Sequence, residues 1–187
     1  DFETLEEIQN YPWPDFYNMD FSYLPQKVKE IQDQGLAVFV WAECTIWETA
    51  WYLRGMDNLF IDMAMEDEKA IWLLDKITEL ACFRARKFAA AGVDILGLGD
   101  DVGMQQALMM SPEMYRTWLK PRLAQVIAAA RDVKPDILIS NHTDGYVMPL
   151  IEDFIEIGVD ILNPVQPECM DFKDVFAEYG GRISFSG

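Results

Sequence analysis

The sequence predicts an α/β fold whose strands run parallel, and three features of the chain point to it. First, a helix-like stretch followed by a glycine and then by an apolar strand recurs along the chain. Second, three strands begin with the same Asp-Ile-Leu triplet, at Asp94, Asp136 and Asp160. Third, the strand bodies are apolar on both faces while their far ends are polar or glycine-rich, as expected of parallel strands that are covered and end at a common rim.

Taken in order, DFSYLPQKVKEIQDQG reads as a helix stopped at Gly35, and LAVFVW as the first strand. A long helix is expected from about Asp67 to Ala91, with Ile71, Leu74, Ile77 and Ala81 at helical spacing and a stop at Gly92. VDILGLG is the second strand. Ser111 is a suitable N-cap for the next helix, with Pro112 in its first turn and Glu113 at the positive end of its dipole. Pro121 falls inside the apolar pattern and is expected to split it into two helices near Lys120. DILIS is the third strand. YVMPLIEDFIEI, stopped at Gly158, leads to the fourth strand, VDILN. FKDVFAEYG leads to the fifth, RISFS. From Asp94 to Asp136 is 42 residues and from Asp136 to Asp160 is 24, the shorter being about one βα unit. A complete (β/α)8 barrel needs roughly 250 residues, so five strands in 187 residues read as a partial (β/α)8 TIM barrel. An open doubly wound sheet is the alternative, weakened by the absence of GxGxxG and of GxxxxGK[ST].

Composition narrows the function. Fifteen Lys and Arg against 32 Asp and Glu give a net charge of −17, which repels phosphates and anionic lipid, so neither nucleic acid nor a membrane is an expected partner. Hydrophobic residues make up 51%, enough for a sizeable core. No apolar run approaches the roughly 20 residues of a membrane span, and DFETLEEIQN has neither the basic nor the apolar region of a signal peptide, so a cytoplasmic location is expected. Cys44, Cys82 and Cys169 are far apart and form no CxxC pair; free thiols are expected. With no initiator Met and no polar tail at Gly187, the chain is expected to be part of something longer.

In parallel α/β folds reactive groups gather at the carboxyl ends of the strands. Here those ends are Trp41 to Glu43, GDDVG (Gly99 to Gly103), NHTDG (Asn141 to Gly145), NPVQPE (Asn163 to Glu168), and Ser184 to Gly187. His142, the only histidine, and Asp144 are two apart, so in extended chain both face one space, where they can bind a metal, share a proton or act as acid and base. The plain reading is a turn-capping pair. Asp100 and Asp101 are adjacent, so only one can face the mouth; either is a candidate catalytic carboxylate, and an Asx turn feeding Gly103 is the alternative. Glu43 is a candidate substrate contact, and Gln105, Asn163 and Gln166 are amides suited to orienting a polar substrate. Trp47 and Trp51, at i and i+4, are either core or an apolar wall beside the mouth.

GDDVGMQ, LMMSPEMYRTWLKPRL, NHTDG and GVDILNPVQPECMD together resemble the uroporphyrinogen decarboxylase superfamily, over nearly the whole chain from about Tyr11, with YPWPD also fitting. The resemblance implies one (β/α)8 barrel domain of about 350 residues, near the upper end of the usual range, of which residues 1–187 would lack the first strands and the C-terminal segment. One branch of the superfamily decarboxylates uroporphyrinogen without a cofactor, in porphyrin biosynthesis. The other moves methyl groups to or from corrinoid proteins, with zinc activating the acceptor. LRGMDNLFIDMA and GDDVGMQ are more similar to the methyltransferase branch. In that branch a His-x-Cys motif and a later Cys bind zinc. His142 matches the His, Asp144 stands where the Cys is expected, and the later Cys would fall past Gly187. Zinc accepts carboxylate oxygen, and an oxygen-rich site can also suit another metal. The partners implied are a small-molecule methyl donor or acceptor and a corrinoid protein. Two other readings stay open: a uroporphyrinogen decarboxylase, and a non-catalytic binding member. The decarboxylase pocket must meet eight carboxylates, whereas the strand-end loops here are acidic or neutral. Arg54 follows the tryptophan helix after the first strand end, and Trp51 stands where that branch has a Tyr.

Overall fold

The computed structural model describes residues 2–42 and 44–187. Five strands form one open parallel sheet in chain order: β1 (Phe39–Trp41), β2 (Ile95–Gly99), β3 (Leu138–His142), β4 (Ile161–Asn163) and β5 (Ser184–Phe185). The helices are α1 (Leu5–Gln9), α2 (Leu24–Gln32), α3 (Trp47–Arg54), α4 (Met56–Ala64), α5 (Glu68–Ala91), α6 (Pro112–Trp118), α7 (Lys120–Arg131), α8 (Ile151–Glu156) and α9 (Phe172–Tyr179). The order βαβ… with every neighbour parallel is that of a partial (β/α)8 barrel. No helix among the described residues is long and apolar enough to cross a membrane.

The long helix begins one residue after Asp67, which caps it by accepting from the Lys69 N–H, and stops at Gly92, whose left-handed φ of 87° closes the last turn. Pro121 does separate two helices: α6 ends at Trp118 and α7 starts at Lys120. Other elements are shorter than their sequence patterns. α2 begins only at Leu24, with Pro25 in its first turn. The Tyr146–Ile157 stretch first makes a 3-10 turn over Met148–Leu150, where Pro149 suits a first turn, and becomes α-helical only from Ile151.

The Asp-Ile-Leu triplets acquire a physical reason. Asp94 accepts the Val38 N–H at 2.7 Å and Asp160 accepts the Ile139 N–H at 2.7 Å, so each ties the start of its strand to the strand before it. The Val38 bond, with a second from the Gln32 amide, holds the Asp94 carboxyl below the usual carboxylate range. Asp136 differs: it is exposed and pairs with Lys134.

Alternate residues of the sheet face opposite ways. Val40, Leu96 and Ile139 lie in register, as do Leu98, Asn141 and Leu162. Leu96, Leu98, Ile139 and Leu162 are fully buried in one core with Leu73, Leu74 and Ile77 of α5 and Val126 and Ile127 of α7. The opposite face carries Phe39, Ile95 and Leu138 in one row, and Gly99, His142 and Asn163 in the last row. It is the more open face: Phe39 is 39% exposed, Trp41 47% and Leu138 44%.

Candidate functional site

The last row of the sheet is the floor of the site. Gly99, His142 and Asn163 pair across β2, β3 and β4, so the side chains of His142 and Asn163 stand side by side. Two glycines make room for them. A Cβ on Gly99 would lie 2.7 Å from the Cβ of His142, and one on Gly97 would lie 2.4 Å from the Trp41 ring and 2.7 Å from that of Phe39. The alternation in ILGLG thus sends leucines outward to the helices and leaves the inner face free for the imidazole and two aromatic rings. Trp41 packs on Phe39 with centroids 4.5 Å apart, and its ring meets the imidazole edge-on at 6.1 Å.

Beyond β2 the paired aspartates diverge. The Asp100 carboxylate turns away from His142 and accepts the N–H groups of Ile46 (2.9 Å) and Glu48 (3.0 Å). These are orphan donors at the start of α3, whose own N-cap, Ile46, offers no side-chain oxygen. Asp100 also lines a small, mainly apolar cavity with Ile46, Val102, Leu119, Leu123 and Phe154, to which Tyr115 and Asn141 add polar groups. This apolar burial pushes its pKa up to about 7, against the downward pull of the α3 amides.

A stability signature follows. Between about pH 4, where an unfolded aspartate titrates, and about pH 7 the folded chain holds a proton at Asp100 that the unfolded chain has released. Raising the pH through that window therefore lowers stability. Asp100→Asn keeps an acceptor oxygen for α3 and removes the titration. Urea unfolding at pH 4.5 and 7.5 should show a smaller fall in stability for the variant than for the wild type; equal falls would contradict the assignment.

Asp101 faces the other way, into the mouth. Its Oδ1 accepts the Asp144 N–H at 2.8 Å and lies 3.8 Å from His142 Nε2. Asp144 Oδ1 lies 3.9 Å from the same nitrogen. One ligand atom from each of Asp101, His142 and Asp144 falls within 4.8 Å of the others, all three residues being partly buried. Two carboxylates and an imidazole nitrogen at this separation are an N/O donor set that a divalent cation fits.

The loops that carry the triad are braced. The Val102 N–H donates to Thr143 Oγ1 (3.1 Å), and the Tyr146 N–H to the Met104 carbonyl (2.7 Å). Gly103 and Gly145 cross so closely that a Cβ on either would sit 2.6 Å from the other loop's backbone. Gln166 Oε1 accepts the Gly145 N–H at 2.7 Å. Asn163 joins its neighbours on both sides, through 2.8 Å contacts to His142 Nδ1 and to the Ser186 carbonyl. Thr143, fully buried between the two triad residues of β3 and its loop, escaped the sequence reading; its place between two inward residues was the available signal.

The other sequence candidates fall outside the triad. Of the two readings of Trp47, its position favours core: it is 0% exposed and packs on Phe60 at 4.9 Å, because α3 turns that face toward α4. Trp51 also packs against the core, with its ring 4.1 Å from Tyr52. Gln105 is exposed on the loop between β2 and α6. Glu43 lies outside the described residues. Arg54 is buried against Asp62, with Nε 2.7 Å from Oδ2, and donates to the Phe2 carbonyl.

Comparison with known proteins places these features in context. The family model described as uroporphyrinogen decarboxylase (URO-D) matches residues 2–187. Among solved structures, a methyltransferase from Methanosarcina mazei superposes with a TM-score of 0.66 at 22% identity, over 88% of this chain and 47% of that one. The chain thus spans about half the length of that protein, and the likeness is one of fold. None of the curated proteins compared with the sequence matches it significantly.

Proposed function

Because the chain belongs to the uroporphyrinogen decarboxylase family, we propose that it is a methyltransferase whose mouth holds a divalent metal on Asp101, His142 and Asp144. The convergence of these three ligand atoms carries the reading. When bound, such a metal supplies Lewis acidity, lowering the pKa of a coordinated thiol or hydroxyl of the small-molecule methyl acceptor. The chain's own residues do the rest. Asp101 and Asp144 together match the charge of a divalent cation. Their loops are fixed against each other by the Asp144 N–H and by the Gly103–Gly145 crossing. Phe39 and Trp41 offer an apolar flank beside His142, suited to a substrate's non-polar part. A corrinoid protein is the proposed partner in methyl exchange, and zinc the first metal to test.

The decarboxylase alternative finds less support. A substrate with eight carboxylates calls for cations at the mouth, and Arg54 is committed to Asp62. The test is to purify the protein, measure bound metal, strip it with a chelator, and assay methyl exchange with a methylated corrinoid before and after restoring Zn²⁺ or Mn²⁺. Metal-dependent exchange is expected. Turnover of a carboxylated tetrapyrrole without metal would overturn the reading in favour of decarboxylation, and tight corrinoid-protein binding without turnover would favour a binding member.

A further inference from the structure

We infer that Asn163 is a positioning residue that fixes the tautomer of His142, so that the ring nitrogen facing Asp101 and Asp144 carries a lone pair and not a proton. The argument starts from a group whose chemistry is unambiguous. The Ser186 carbonyl, just past β5, can only accept a hydrogen bond, and it lies 2.8 Å from Asn163 Nδ2. The amide must therefore turn its NH₂ toward β5 and its oxygen toward β3. Asn163 Oδ1 can only accept, and it lies 2.8 Å from His142 Nδ1. The proton on that bond must then belong to Nδ1. A neutral imidazole has one such proton, so Nε2 is left with its lone pair.

Nε2 is the atom that stands 3.8 Å from Asp101 and 3.9 Å from Asp144. In the other tautomer an Nε2–H would face two carboxylates and could close onto one of them, occupying the very space a cation needs. Asn163 opposes that collapse. Both ends of its amide are spent on protein partners, which argues against the substrate-orienting role its position at a strand end first indicated. Hydrogen bonding of the non-ligating ring nitrogen is a general device for setting ligand orientation and basicity, and losing it typically costs 10–100-fold in metal affinity. The inference rests on the metal reading for its affinity readout and on the hydrogen bonds alone for its tautomer readout.

His142 is the only histidine in the chain, so ¹⁵N spectra of histidine-labelled protein report this ring without assignment. In metal-free wild-type protein at alkaline pH the Nδ1–H tautomer is expected. Asn163→Leu should shift the ring toward Nε2–H and weaken Zn²⁺ binding by about 10–100-fold. Asn163→Asp, which can still accept from Nδ1, should retain the Nδ1–H form. An Nε2–H tautomer in the wild type overturns the proposal, as does a well-folded Asn163→Leu protein with unchanged tautomer and Zn²⁺ affinity. Should Asn163→Leu fail to fold, the wild-type and Asn163→Asp tautomers decide. A wild type that binds no Zn²⁺ yet shows the Nδ1–H form, lost in Asn163→Leu, would overturn the metal reading and uphold the positioning role.

Discussion

His142→Ala is expected to weaken divalent-metal binding by at least about 100-fold and to leave the apo protein as stable as the wild type to within about 0.5 kcal/mol. The two halves of that expectation have separate causes. The imidazole supplies the only nitrogen among the three converging ligand atoms, and two carboxylates left alone bind weakly and repel each other. Yet the ring is partly exposed, stands on the open face of the sheet and makes one side-chain hydrogen bond to Asn163, so its removal opens no core cavity. Thermal unfolding with and without metal separates the effects. A ligand that binds only the folded state at 100 times its Kd stabilises by about 2.7 kcal/mol, so the wild-type Tm should rise with added Zn²⁺ while that of the variant should not.

Gly145→Ala is expected to cost about 2–4 kcal/mol and to impair metal binding with it. Gly145 has φ +88°, a left-handed value that costs an L-residue roughly 1–2 kcal/mol. The added Cβ would also lie 2.6 Å from the Gly103 carbonyl carbon and 2.7 Å from the Met104 oxygen. Those are backbone atoms, so a whole loop must move, and it is the loop that follows Asp101. Gly35→Ala is the control. Gly35 has φ +77° with open space around its would-be Cβ, so it incurs the backbone cost alone. Chemical denaturation of the two variants, read beside Zn²⁺ titration, should show the larger stability loss and the only affinity loss at Gly145. Equal effects would mean that the loop crossing does not hold the triad.

Much of this architecture was legible in the order of residues because it depends on local rules. Glycine stops, strand triplets and the split at Pro121 are decided within a few positions, and they placed five strands and the long α5 helix. The spacing of His142 and Asp144 was equally readable, since alternation in extended chain sends both the same way. What local rules cannot supply is which groups meet across strands. That Asp101 and not Asp100 faces the imidazole is set by the register of β2 against β3 and by the unsatisfied amides of α3. Asn163 and Gln166 read as free amides because their partners, Ser186 and Gly145, lie on other segments. Trp47 had the right spacing for a wall but lies on the face of α3 that packs on Phe60.

X-ray absorption spectroscopy of the zinc-loaded protein tests the central claim most directly. A donor set of Asp101, His142 and Asp144 predicts a first shell that includes one imidazole nitrogen and carboxylate oxygens, near 2.0–2.2 Å. A shell without an imidazole, or one unaltered in both His142→Ala and Asp101→Ala, would contradict it.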